Sequence, residues 1–456
     1  MQGNAKAGWR GMLVLGVLLW VAGFVAMRCT MPPGVHREAV QITGPLGKPC
    51  LGVLYTPATA PKAMILVGHG VSCNTGVMAT IAKAFAAQGY VAVAIDFWGH
   101  GRSHERFSWT DNPAQVLSWC AWAKDRYLGL PLAYLGHSMG GFAGGAAFAE
   151  QPAVNAFVAM GAIPQRFSSV KTLIAAGRFE ELFTPEKIAA EAQGHADTLI
   201  SPYSDHTGEA WDAFLIDGMV SWADKALGVA PSGPMSRRRL WLSVLAAALA
   251  GVGAMRLAQA AAAMVPAGPA SPAPVAVERR WSVNPYRLTA RLLRCVGSGA
   301  PPRAGTIWRA VLCGVVFGLV FIAPLSLVLT DDLFTSRLDH PKRLVGWGLT
   351  ALLLLGPALL DAWALERVAL TGQGRRFAVA ALTRFVPLLL LGGAMYLAGP
   401  GIAFGGMLVI ILAMVSLLLS HVHALCTRAS GDYRAGAVAA CILFAWVVSF
   451  WFPLNW

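Results

Sequence analysis

The sequence predicts two structural classes in one chain, an α/β domain on a mostly parallel sheet and an all-α membrane region. Three observations predict this. The 456 residues are 56% hydrophobic and only 13% charged, with a mean hydropathy of +0.56; that is too apolar for a soluble surface and too long for one compact domain. Residues 38–228 nevertheless have ordinary soluble composition and alternate short apolar strands with helical patterns, as a parallel sheet with crossover helices requires. From Leu240 onward, apolar stretches recur that are each near the ~20 residues a helix needs to cross a bilayer core.

Taken in order, residues 11–27 form an apolar run behind Lys6 and Arg10. The run ends Ala26-Met27-Arg28, without the small residues a signal peptidase needs, so it reads as an uncleaved anchor within a segment 1–37. In the α/β domain, strands are expected at Leu51–Tyr55, Ala63–Gly68, Val91–Asp96, Leu132–Gly136, Ala156–Ala162 and Thr172–Ala176. Helices are expected at 75–88, 112–127, 139–150 and 209–226. The membrane region, 229–456, holds six candidate spans at 240–260, 306–329, 344–365, 378–398, 402–424 and 435–452. Between its first two spans lies a basic linker, 261–305, with a Pro/Ala stretch and then NPYRLTARLLRCV. The latter fits an amphipathic helix with Leu288, Leu292, Leu293 and Val296 on one face.

Charge sets the orientation and excludes a class. The net charge of +13 comes mostly from Arg beside apolar runs, as in inner membrane loops, rather than from one polar block of the kind that binds nucleic acid. A cytoplasmic N-terminus places Arg279, Arg280, Arg287, Arg291, Arg294 and Arg303 inside, with Arg367, Arg375, Arg376, Arg428 and Arg434. The α/β domain then lies outside the cytoplasm, in a bacterial inner membrane, and only Arg237–Arg239 argue against this. Eight scattered cysteines with no C-x-x-C indicate neither a zinc site nor a disulfide framework. Asp361, Arg384, His421 and His423 fall near span ends, where such residues pair or snorkel.

The chemistry concentrates at LAYLGHSMGG, residues 132–141, where G-x-S-x-G follows an apolar strand and opens a helix rich in small residues. That is the context a strained nucleophile elbow needs. ILVGHGVSCN, 65–74, ends a strand with His69-Gly70, and AIDFWGHGRS, 94–103, follows the next strand. Together these stretches resemble the α/β-hydrolase superfamily over about 190 residues.

The resemblance implies acyl transfer by Ser138, with an acid and a histidine following in that order, no cofactor and no metal. The backbone N–H groups of Val71 and Met139 would form the oxyanion hole. Glu180, three residues past Gly177, is the expected acid, with neighbouring Glu181 the alternative, and His206 is the expected base with His195 behind it. His69, His100 and His137 are expected to order turns. Only Pro164–Lys171 separate two strands where many relatives insert a cap, so the site should be open. A membrane-anchored serine hydrolase acting on carboxylesters is the leading expectation. The alternatives are a ligand-binding sensor domain that governs the membrane bundle, and a membrane acyltransferase or transporter.

Overall fold

The computed structural model describes residues 3–266, 284–292, 307–330, 340–366, 368 and 373–452. Most of the basic linker, with Arg279, Arg280, Arg294, Arg303, Leu293 and Val296, lies outside the described residues, as does Arg367. In chain order the helices are α1 (Gly3–Arg28), α2 (Thr75–Ala87), α3 (Asn112–Arg126), α4 (Met139–Glu150), α5 (Pro185–Ala192), α6 (Ala213–Leu227), α7 (Arg237–Met264), α8 (Pro285–Leu292), α9 (Ile307–Leu329), α10 (Pro341–Glu366), α11 (Gln373–Leu397), α12 (Pro400–Ser430) and α13 (Tyr433–Trp451). The chain divides into two compact units, one holding the sheet and the other most of the apolar helices.

The first unit is built on eight strands: β1 (His36–Thr43), β2 (Pro49–Thr56), β3 (Ala63–Gly68), β4 (Tyr90–Asp96), β5 (Leu132–His137), β6 (Ala156–Met160), β7 (Lys171–Gly177) and β8 (Asp197–Ser201). Their order is β1-β2-β4-β3-β5-β6-β7-β8. All pairings from β4 to β8 are parallel, and β2 alone runs against its neighbours. Strands β3, β4, β5 and β6 are buried at every position, because helices cover both faces of a parallel sheet and leave no polar side to alternate with. Trp98, Trp119, Tyr134, Phe148 and Phe157 fill the main core.

Three elements were not visible in the sequence. Strands β1 and β8 are the two edges of the sheet and are half exposed, so polar residues interrupt the apolar run that marks a central strand. Helix α5 is one short amphipathic segment, capped by Thr184 Oγ1, which accepts from Lys187 N–H. The last helix begins at Ala213 rather than 209, since Asp212 caps it by accepting from the N–H groups of Phe214 and Leu215. The strand from Ala156 ends at Met160, two residues early, because Gly161 turns the chain with φ +56°.

At the amino edge of the parallel strands, Lys62 ties down the end of α6. Its Nζ pairs with Asp224 at 2.8 Å and donates to Ala230 O and Ser232 Oγ. Lys171, which opens β7, likewise donates to Ala226 O. Since β1 runs parallel to β4 through two antiparallel pairings, the chain both enters the sheet and leaves α6 at this edge.

The second unit is helical. Among the described residues seven helices are long and apolar enough to cross a membrane, at Gly8–Arg28, Arg237–Met264, Ile307–Leu329, Pro341–Glu366, Gly374–Leu397, Ile402–Ser430 and Tyr433–Phe450. Small residues let these helices approach closely: a Cβ on Gly16 would lie 2.9 Å from Leu257 N, and one on Gly392 would lie 2.9 Å from Gly406 O. Arg384 pairs with Asp361 and also donates to Tyr286 Oη at 3.0 Å and Ser420 Oγ at 2.9 Å. Those span-end charges are thus neutralised within the bundle. Helix α8 packs through Tyr286 and Ala290 and turns Leu288 and Leu292 outward together, on one face.

Candidate active site

The turn from β5 into α4 is where the backbone is most constrained. Ser138 adopts φ +49°, ψ −113°, a conformation that non-glycine residues rarely hold and that costs of order 1–3 kcal/mol. The surrounding glycines make it sterically possible. A Cβ on Gly136 would collide with the Gly140 carbonyl, and one on Gly140 would lie 2.7 Å from Gly68 O. The elbow lifts Ser138 to the carboxyl edge of the sheet.

Glu180 and His206 come to the same edge on the loops after β7 and β8. His206 Nε2 lies 3.1 Å from Ser138 Oγ, and His206 Nδ1 lies 2.8 Å from Glu180 Oε2. Glu180 Oε1 also accepts from Leu182 N–H at 2.9 Å and Phe183 N–H at 3.1 Å. Burial alone would raise this carboxyl, but the hydrogen bond and charge of His206 outweigh it and hold Glu180 below its ordinary value. With Glu180 ionised, Nδ1 carries the imidazole proton and Nε2 is left to accept from the serine hydroxyl.

Glu181 takes a different position. Its Oε2 accepts from the backbone N–H of His206 at 3.3 Å, and burial pushes its carboxyl up to about 7. It thus supports the loop that carries the imidazole and does not meet the ring nitrogen. His195 stands apart, exposed and stacked on Phe167.

The remaining histidines hold turns. His69 Nδ1 donates to Gly70 O at 2.7 Å and its Nε2 accepts from Phe97 N–H at 3.1 Å, joining the loops after β3 and β4. His100 meets Trp98 O at 3.1 Å. His137 donates through Nε2 to His206 O at 3.1 Å, and burial and the neighbouring His206 lower it to about 3, so it stays neutral. His137, His206 and Glu209 cluster tightly enough to suggest a metal site, but His206 is already committed to Ser138 and Glu180, and His137 Nε2 to a carbonyl.

The segment after β3 approaches closely. A Cβ on Gly70 would fall 3.2 Å from Ser138 Cβ, so the backbone leading to Val71 runs against the serine from one side while Met139 follows it on the other. The loop after β4 is held by Asp96, which accepts from Thr75 N–H at 2.8 Å and Arg102 Nε at 3.0 Å. His340 and Arg343, which the sequence gave no reason to place here, also grip this loop: His340 Nε2 donates to Ser103 O at 3.1 Å and Arg343 to Gly99 O at 3.0 Å.

The connection from β6 to β7, residues 161–170, contains no helix, so no cap covers the serine from there. Val71, Trp109, Phe179, Tyr203 and Phe214, on carboxyl-edge loops or just beyond them, are exposed. A cleft of about 360 Å³ runs beside α4, lined by Trp109, Met139, Phe142, Ala146, Gln165 and Arg166.

The sequence reading missed Glu209 and Gly161. Glu209, which the sequence reading passed over at the start of an expected helix, is wholly buried. Gly161 sits opposite it, where a Cβ would collide with Glu209 Oε2 and lie 3.0 Å from His206 Nδ1. Nothing in the local pattern around Gly161 pointed to the site.

A parallel sheet with one inverted strand, a serine on a strained elbow after β5, and an acid and a histidine after the last two strands define an α/β-hydrolase domain. Within it, residues 59–191 match the family model described as Serine aminopeptidase, S33. The chain is similar to the Monoacylglycerol lipase of Mycolicibacterium smegmatis, 30% identical over 165 residues, which is 33% of this chain and 57% of that protein. It is also similar to the Monoglyceride lipase of Homo sapiens, 34% identical over 102 residues, covering 22% of this chain and 34% of that one. The chain therefore spans only between about a third and somewhat more than half of the curated relatives it matches. Among solved structures, the esterase domain of a Rhodothermus marinus protein matches with 20% identity and a TM-score of 0.34, over 42% of this chain and 98% of that one.

Proposed function

We propose that the chain is a membrane-anchored serine hydrolase that cleaves carboxylesters through Ser138, His206 and Glu180. The observation that carries this reading is the hydrogen-bond chain from Ser138 Oγ through both ring nitrogens of His206 to Glu180, set at the carboxyl edge of the sheet. Ser138 attacks the ester carbonyl while His206 Nε2 takes its proton, and the N–H groups of Val71 and Met139 receive the charge that develops on the carbonyl oxygen. His206 then returns the proton to the departing alcohol, leaving an acyl-enzyme. Water, activated by the same nitrogen, releases the acid. Glu180 orients the imidazole and stabilises its positive form.

For the substrate class we infer a monoacylglycerol-like ester with an apolar acyl chain. The exposed side chains at the rim of the uncapped site and the similarity to monoglyceride lipases support it. The bilayer is the expected environment, with the N-terminus cytoplasmic and the hydrolase domain outside it, in a bacterial inner membrane.

The test is labelling of the detergent-solubilised full chain with a fluorophosphonate probe, together with turnover of a monoacylglycerol, short-chain nitrophenyl esters and an aminoacyl anilide. Labelling that is lost in Ser138→Ala, with esters turned over faster than the anilide, is the expected result. A chain that binds monoacylglycerol but neither labels nor turns over is instead a sensor.

A further inference from the structure

Behind the proposed triad lies a second carboxyl group with a defined place. Glu209 stands on the short turn Glu209–Trp211 between the His206 loop and α6, entirely enclosed. Its Oε1 accepts from Gly177 N–H at 2.9 Å. Its Oε2 is buried from solvent and receives no hydrogen bond, and the Glu209 and Glu180 carboxyl groups lie within hydrogen-bonding reach of each other. The Gly161 backbone closes the other side.

The groups facing Glu209 are Glu180, Glu181, His137 and His206. His137 Nε2 approaches Oε2 at 3.4 Å, but its proton already serves the His206 carbonyl at 3.1 Å, and burial keeps this ring neutral. The enclosure therefore holds two touching carboxyl groups with no fixed cation between them. Two such groups cannot both be ionised away from water, and one keeps a proton.

Which one keeps it follows from the donors. Glu180 receives the N–H groups of Leu182 and Phe183 together with His206 Nδ1–H, and all three favour the carboxylate. Glu209 receives only Gly177 N–H, on Oε1. We propose that Glu209 is a neutral carboxylic acid whose Oε2–H donates to the ionised Glu180, making Glu209 a positioning residue for the triad. Burial and the charge of Glu180 push the Glu209 carboxyl well above its ordinary value, as this arrangement requires. The added donor fixes the Glu180 carboxylate against His206. It also lowers the basicity of Glu180, so that the imidazole proton stays on Nδ1 as the ring becomes charged.

The proposal rests on the catalytic role of Ser138, His206 and Glu180, yet its first test needs no turnover. In a Glu181→Gln background at pH 8, the infrared difference spectrum between Glu209 and Glu209→Gln should show loss of a protonated carboxyl C=O band. Loss of carboxylate bands instead would overturn the proposal. The second test is the pH profile of ester hydrolysis. Glu209→Leu should lower kcat/KM by about 30-fold and move the acidic limb upward, because Glu180 loses a donor and holds the imidazolium more strongly. Glu209→Gln, whose amide can donate in the same place, should restore most of the rate and return the limb to the native position. If Glu209 is instead ionised, Glu209→Gln removes a negative charge beside His206 and shifts the acidic limb down by about a pH unit, which would refute the assignment. Loss of the labelling expected at Ser138 is a separate failure, and it would leave the infrared result standing.

Discussion

At the scale of residues, neighbouring Glu180 and Glu181 do opposite things because one meets a ring nitrogen and the other a backbone N–H. Glu180→Gln presents an amide to His206 Nδ1 and disturbs the tautomer that lets Nε2 accept from Ser138, so kcat should fall by about a thousandfold or more. Glu181→Gln should change kcat by less than tenfold, and steady-state kinetics on one ester would separate the two. Reversed magnitudes would exchange their roles. Glu181 should instead appear in the pH dependence of stability. Its carboxyl is raised to about 7 in the folded protein, so between pH ~4.5 and ~7 the native state keeps a proton that the unfolded chain has released. Stability is fully supported below this window and declines as pH rises through it. Thermal unfolding in detergent from pH 5 to 8 should show Tm falling more steeply for the native chain than for Glu181→Gln. Parallel curves would show that Glu181 is not held protonated.

At the scale of elements, the β5–α4 elbow trades backbone strain for the placement of one hydroxyl at the carboxyl edge of the sheet, and its glycines are steric requirements. Gly136→Ala would drive a methyl group into the Gly140 carbonyl, where neither backbone can yield. It should destabilise the domain by about 3 kcal/mol or more and abolish labelling. Gly161→Ala is the more informative change, because its methyl would displace Glu209 and His206 and leave the sheet intact. The variant should retain a native-like circular dichroism spectrum and lose at least about a hundredfold in kcat. Unchanged kinetics would mean that the loop after β6 does not brace the site. Sequence patterning located this elbow because strand, glycines and serine are contiguous. It could not locate Gly161, whose importance depends on groups dozens of residues away.

At the scale of the whole molecule, the proposed orientation makes a direct prediction. A cysteine at Leu128, which is 85% exposed on the loop between α3 and β5, should react with a membrane-impermeant thiol reagent in intact cells, once the exposed Cys29 has been replaced. Reaction only after permeabilisation would invert the proposed orientation and make Arg237–Arg239 the governing charge cluster. Within the sheet unit, the chain enters β1 and leaves α6 at the edge opposite the serine. His340 and Arg343, by contrast, reach the carboxyl-edge loop after β4 through Ser103 and Gly99. Arg343→Ala should therefore loosen that loop and raise KM for bulky esters more than for small ones.

The sequence by itself determined the class of the sheet domain, the places of the apolar helices and the positions of Ser138 and His206 as candidates, which the fold brings within 3.1 Å of each other. Each of these is encoded locally, as an apolar run of set length or a motif with fixed spacing. It narrowed the proposed acid to two adjacent carboxylates, and only the tertiary structure placed Glu180 against the ring nitrogen and Glu181 against the backbone. The same was true of the edge strands β1 and β8, which lack a buried face on one side, and of Glu209. A polar residue next to an active-site loop reads as solvated in sequence. Whether it is enclosed, and whether it keeps its proton, depends on what Gly161, Gly177 and Glu180 bring to it from three separate strand ends.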